Sequence, residues 1–102
     1  MVDLKLLQKE IYQNKIEKWF NVKDISMEFC LTHEELSEAY RAYYRKLPDL
    51  WEELADVAIY LLWLAEILGI NLEKEILQKI EKNKNRVYKK INWVLTKIDE
   101  ET

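Results

Sequence analysis

Two acidic pairs stand out by type and spacing. Glu35 and Glu38 lie three positions apart in HEELSEAY, residues 33–40, and Glu53 and Asp56 repeat that spacing in EELADVAIYLLW, residues 52–63. On a helix, residues three apart share a face. The first pair shares a stripe with Leu31, Ala39 and Ala42, the second with Val57, Tyr60, Leu64 and Ile67. Both stripes otherwise read as core, whereas a solvated acidic pair belongs on the polar side of its helix. If the stripes face each other, two charges about 5 Å apart repel by roughly 3 kcal/mol at an effective dielectric near ~20. Such a cluster protonates, splays apart or binds a cation. Carboxylate oxygens with positions left for water suit a hard ion, Mg²⁺ or Mn²⁺. A surface-exposed acidic rim is the competing reading. A di-iron site needs Glu-x-x-His on two helices, and the sole histidine, His33, is not three residues after any Glu. His33 reads as an ordinary helix residue near the edge of the site.

The opposite charge lies toward the C-terminal end. Residues 79–97 hold seven basic residues against one acid, Glu81. Lys79, Asn83, Arg86 and Lys90 form a stripe beside the apolar positions Ile76, Ile80, Val87, Ile91, Val94 and Ile98. That stripe could meet the acids, bind phosphates or be solvated. Next to a divalent ion, Lys and Arg would take the charge of a phosphorylated ligand that the ion leaves exposed.

Four helices must position these groups. The first is expected over roughly residues 3–20, with Leu4, Leu7 and Ile11 on one face and Tyr12, Ile16 and Trp19 beside it. Asp24 or Ser26 is the N-cap of the second, which runs to about Lys46 and is closed by Pro48. Asp49 caps the third, with Glu52 completing a capping box, and Gly69 ends it. Asn71 opens a fourth that continues toward the nineties. The short KLPDL connection makes helices two and three antiparallel neighbours. Helix three is apolar nearly all round, more than three neighbours from one chain can cover. The expected fold is therefore all-α, a four-helix antiparallel bundle-type subunit that completes its core by homo-oligomerisation.

The composition is consistent with this. The 102 residues predict one domain over 1–102, and a single Gly and a single Pro leave little turn material for a strand-rich fold. The net charge of −3 gives no general pull toward nucleic acid. Cys30 stands alone, so no internal disulfide forms, which suits a reducing cytoplasm. The opening MVDLKLLQKE lacks the apolar stretch of a signal peptide, and the longest apolar run, VAIYLLWLA, is too short to span a bilayer. Four Trp and six Tyr are read first as core packing.

Glu34-Glu35-x-x-Glu38 followed by Glu53-x-x-Asp56 resembles the EExxE…ExxD motif of the MazG-like, all-α nucleoside triphosphate pyrophosphohydrolases. Tyr60, four after Asp56, fits the same pattern, and Lys79-x-x-x-Asn83-x-x-Arg86 fits its C-terminal Lys…Asn…Arg motif. The resemblance covers about residues 10–88. It departs where relatives often carry Gly before the second motif acid; here Ser37 precedes Glu38. The tail after Lys90 has no motif match.

The resemblance implies a dimer or dimer of dimers that hydrolyses a (deoxy)nucleoside triphosphate to the monophosphate and pyrophosphate with Mg²⁺ or Mn²⁺. Glu35, Glu38, Glu53 and Asp56 would be metal ligands, and Glu34 would orient a ligand or water or only face solvent. One of these acids would serve as general base. Tyr60, Lys79, Asn83 and Arg86 would contact phosphates or sugar, with Lys79 and Arg86 stabilising the leaving pyrophosphate. Trp19 or Phe20 would stack on the base or pack in the core. The alternatives are a phosphoribosyl-ATP pyrophosphohydrolase and a non-catalytic helical oligomerisation or partner-binding module on the same scaffold.

Overall fold

The structure, a computed structural model, describes residues 2–85 in full and 87–91 and 94–99 along the backbone. The described residues hold four helices: α1 (Leu4–Glu17), α2 (Ile25–Tyr44), α3 (Leu50–Ile67) and α4 (Leu72–Lys84). The chain folds as two compact units, Met1–Leu72 and Glu73–Thr102.

In the first unit α3 is the common partner of α1 and α2. Trp63 of α3 meets Glu28 of α2, while Glu53, ten residues earlier, meets Glu35 and Glu38. The residue numbers run in opposite senses, so the two helices are antiparallel. The same holds for α1, where Gln8 meets Glu66, Tyr12 meets Trp63 and Lys15 meets Tyr60. The core is small: Ala39 and Ala42 of α2 pack with Leu62, Trp63, Leu64 and Ala65 of α3. Trp63 is wholly buried, with its indole N–H donating to Glu28 Oε1 and its ring 5.5 Å from that of Tyr12. An indole fits a core only where its N–H finds an acceptor.

The buried positions of α1 are polar, Gln8 and Lys15, rather than the apolar face read from Leu4, Leu7 and Ile11. Gln8 acts as a clasp at one end of the unit. Its amide donates to Glu66 Oε1 at 2.9 Å and to the Ile70 carbonyl at 2.6 Å, and its Oε1 accepts from the Leu72 N–H at 3.4 Å. These bonds hold the turn after α3 against α1.

The helix ends follow from local chemistry. Asp3 and Asp24 cap α1 and α2, their carboxylates accepting from Leu6 and Met27 N–H groups, each at 3.0 Å. Of the two caps expected for α2, Asp24 rather than Ser26 does the work. All three helices of this unit end in paired Schellman bonds: Phe20 to Lys15 O, Leu47 to Ala42 O and Ile70 to Ala65 O, with the inner bonds from Trp19, Lys46 and Gly69. That turn needs a left-handed residue. Gly69 supplies one at φ 71°, but Trp19 at φ 62° and Lys46 at φ 55° adopt it despite their side chains. A left-handed non-glycine residue costs roughly 1–2 kcal/mol.

Two expectations are corrected. Asp49 stands at the N-cap of α3 but makes no side-chain capping bond, so the capping box with Glu52 does not form. The fourth helix stops at Lys84 instead of reaching the nineties, and Val87–Ile91 (β1) pairs antiparallel with Val94–Asp99 (β2), with Ile91 opposite Val94 and Val87 opposite Asp99. The reason is in the side-chain types: Val87, Ile91, Val94, Thr96 and Ile98 are β-branched and lose rotamer freedom in a helix. The apolar positions that fit a helical stripe fit a strand pair better. Among the described residues, no helix is long and apolar enough to cross a membrane.

Candidate metal centre

Glu35 and Glu38 sit one turn apart near the middle of α2, and Glu53 sits in the first turn of α3. The antiparallel register brings them together. One carboxylate oxygen from each lies within 4.8 Å of the others, and all three residues are half-buried. Asp56, one turn further along α3, is exposed and is not part of this trio, but its charge reaches both Glu35 and Glu53. Glu34 is exposed on the rim.

The cluster is electrostatically uncomfortable. Burial pushes the Glu35 carboxyl above its ordinary value, and the neighbouring charges of Glu38, Asp56, Glu53 and Glu34 push it further. Glu53 is raised likewise, by desolvation first and then by Asp49, Glu38, Asp56 and Glu52. Glu53 Oε2 and Asp49 Oδ1 are shut off from solvent, and neither has a hydrogen-bond partner among the described residues. A buried acceptor without a partner carries a desolvation penalty of about 1–3 kcal/mol. Hard anionic oxygens, converging and partly orphaned, form a donor set that fits Mg²⁺ or Mn²⁺.

Tyr60 stands one turn beyond Asp56, half-buried. Burial and the charges of Glu35, Glu28 and Asp56 hold its phenol protonated to higher pH than usual. Trp19 is not a core residue: it is 94% exposed. Phe20 is also partly exposed, its ring lying under the Lys15 ammonium at 4.3 Å. Lys79 and Asn83 are exposed positions of α4, in the second unit, and Arg86 lies outside the described residues. His33 lies off the carboxylate trio, lining an apolar groove of about 250 Å³ with Phe29, Leu36, Val57, Leu61 and Leu64.

Three residues were not read as part of the site: Asp49, which acts on Glu53, and Lys15 and Glu28, which act with Glu35 around Tyr60. Glu28 is almost wholly buried and accepts from Trp63 Nε1 and from Asn21 Nδ2 at 3.3 Å. Lys15 and Gln8 occupy the stripe of Leu4 and Ile11 at helical spacing, so polar residues interrupting that stripe were a readable signal. Asp49 was read as a cap, and its type does not distinguish a cap from an extra carboxylate.

A family model described as the MazG-like family matches residues 26–93, about two thirds of the chain. The chain belongs to the MazG-like family. No curated protein and no solved structure matches it. Both acidic pairs, Tyr60, Lys79, Asn83 and Arg86 fall inside the MazG-like match, while Lys15 and Trp19 precede it. Membership points to a nucleotide pyrophosphohydrolase-type role.

Proposed function

We propose that this MazG-like chain hydrolyses a (deoxy)nucleoside triphosphate to the monophosphate and pyrophosphate in the presence of Mg²⁺. The observation that carries the reading is the convergence of Glu35, Glu38 and Glu53 oxygens from two antiparallel helices, with one Glu53 oxygen buried and unsatisfied. Glu35, Glu38 and Glu53 would hold the ion, with Asp56 at its open edge. When bound, the ion supplies charge screening for the triphosphate and a water of lowered pKa. Tyr60, whose phenol stays protonated to higher pH than usual, would donate a hydrogen bond to a ligand oxygen. Lys79, Asn83 and Arg86 are assigned to phosphate or sugar by motif position. Trp19 is assigned to base stacking, because its exposure leaves both faces of the indole free of the core.

The active form is proposed to be a homodimer or dimer of dimers. Tyr40, Tyr43, Tyr44, Trp51 and Leu54, from the C-terminal half of α2 and the start of α3, are all exposed large side chains. Exposed large side chains in such number support an interaction surface there. Light scattering that finds a monomer at micromolar concentration would refute the assembly.

The test of activity is pyrophosphate release across canonical, deoxy and modified triphosphates, with and without EDTA. Turnover that stops on chelation supports the reading. A folded, metal-loaded protein that turns over none of the panel replaces it with the non-catalytic module. Activity confined to phosphoribosyl-ATP assigns that substrate instead.

A further inference from the structure

Lys15 is a cation turned inward. Only 8% of the residue is exposed, although lysine normally extends its ammonium into water. The ammonium lies 4.2 Å from the Tyr60 ring centroid, 4.3 Å from that of Phe20 and 5.4 Å from that of Trp63. Three rings within reach hold it by cation–π attraction. Among the described residues it makes no ion pair, so rings rather than carboxylates form its nearest shell.

Beyond the rings lie the charges. Burial pulls the Lys15 ammonium below its ordinary pKa, and the charges of Glu28, Glu35 and Asp56 oppose that fall without cancelling it. Glu28 already has donors of its own in Trp63 and Asn21. Among the described residues Glu35 and Asp56 accept no such bonds; they belong to the mutually repelling group. A positive charge whose field reaches Glu35 and Asp56 relieves part of that repulsion.

We propose that Lys15 is the resident counter-charge of the carboxylate centre, a positioning residue that stabilises it before a divalent ion arrives and weakens its hold on that ion afterwards. This rests on the metal reading above. The two halves follow from one field. The ammonium lowers the energy of the clustered carboxylates, and the same charge repels an incoming dication. The centre then stays folded without metal and binds metal loosely enough to exchange it.

The experiment uses the full chain stripped of metal, with Mn²⁺ as the probe and free Mn²⁺ followed by electron paramagnetic resonance. Lys15→Met keeps the stem and removes the charge; Lys15→Arg keeps the charge. Lys15→Met is expected to bind Mn²⁺ about tenfold more tightly than wild type, from loss of one nearby positive charge. Lys15→Arg should stay within about twofold of wild type, since it keeps that charge. The metal-free Lys15→Met protein should melt lower, and Mn²⁺ should raise its melting point by more than it raises that of wild type. A merely structural lysine would shift melting equally with and without Mn²⁺ and would not tighten binding. Unchanged or weaker Mn²⁺ binding by folded Lys15→Met overturns the proposal while leaving the metal reading standing. Wild type that binds no Mn²⁺ overturns both. If Lys15→Met is unfolded without metal, millimolar Mn²⁺ should restore its helical circular dichroism; a chain that stays unfolded overturns the proposal.

Discussion

The first unit contains two buried polar clusters along the same helix, and they differ in how their needs are met. Around Trp63 and Glu66, every named polar group has a partner: the indole and Asn21 serve Glu28, and Gln8 serves Glu66, Ile70 and Leu72. About three turns earlier in α3, Glu53 and Asp49 keep buried oxygens without partners, and Glu35 and Glu38 add like charge. Satisfied polar groups specify how helices pack, whereas unsatisfied ones signal a ligand. One end of α3 is closed by its own hydrogen bonds, and the other leaves buried acceptors open.

The largest test of that contrast is at the satisfied end. Trp63→Ala removes the wholly buried ring and strands Glu28, so it should cost about 3–5 kcal/mol in chemical denaturation. A loss below about 1 kcal/mol would mean that the core lies elsewhere.

At the unsatisfied end the loss should fall on activity. Glu38→Gln is expected to reduce pyrophosphate release by about 100-fold or more, because even outer-shell partners of a metal cost 10–100-fold. Asp56→Asn, at the exposed edge, should cost only about tenfold on the same scale. Circular dichroism should show both variants folded. Equal losses would mean that Asp56 joins the trio once the ion is bound.

A gentler measurement is metal-free melting against pH. Glu35 and Glu53 have folded-state pKa values raised above the ordinary 4.5, so the folded chain binds more protons than the unfolded one just above that pH. Stability must therefore fall as pH rises from about 4.5 through the raised values, then level off. Glu53→Gln should flatten this fall, and saturating Mn²⁺ should reverse it. A metal-free melting point that rises across the same window would contradict the repulsive cluster.

The smallest effect concerns backbone strain. Lys46→Gly should stabilise the chain by about 0.5–1 kcal/mol, because glycine accepts the left-handed conformation that lysine resists. Gly69→Ala should destabilise by a similar amount; nothing lies near a Cβ there, so the change isolates backbone conformation from crowding.

Much of the helical frame was legible. Asp24, Pro48 and Gly69 mark boundaries of α2 and α3 because capping, proline sterics and left-handed turns act over a few residues. The ends at Trp19 and Lys46 were not marked by glycine; there the left-handed turn, closed by its backbone hydrogen bonds, falls on residues that disfavour it. The hairpin was missed because β-branched residues at Val87, Ile91 and Val94 satisfy both a helical and a strand spacing.

The carboxylate spacing on each helix was set in the primary structure, because residues three apart share a face whatever surrounds them. So were the electrostatic conflict that follows from pairing such faces and the helix boundaries written in caps. Which acids converge was a matter of register between α2 and α3: Glu35, Glu38 and Glu53 meet, and Asp56 stays at the edge. The burial of Lys15 among Phe20, Tyr60 and Trp63 was likewise settled by packing, since the three rings come from the turn after α1 and from α3. Local rules act along the chain, but partnership across it depends on how helices slide against one another, and a few ångströms of that sliding separate a shared site from a scattered set of charges.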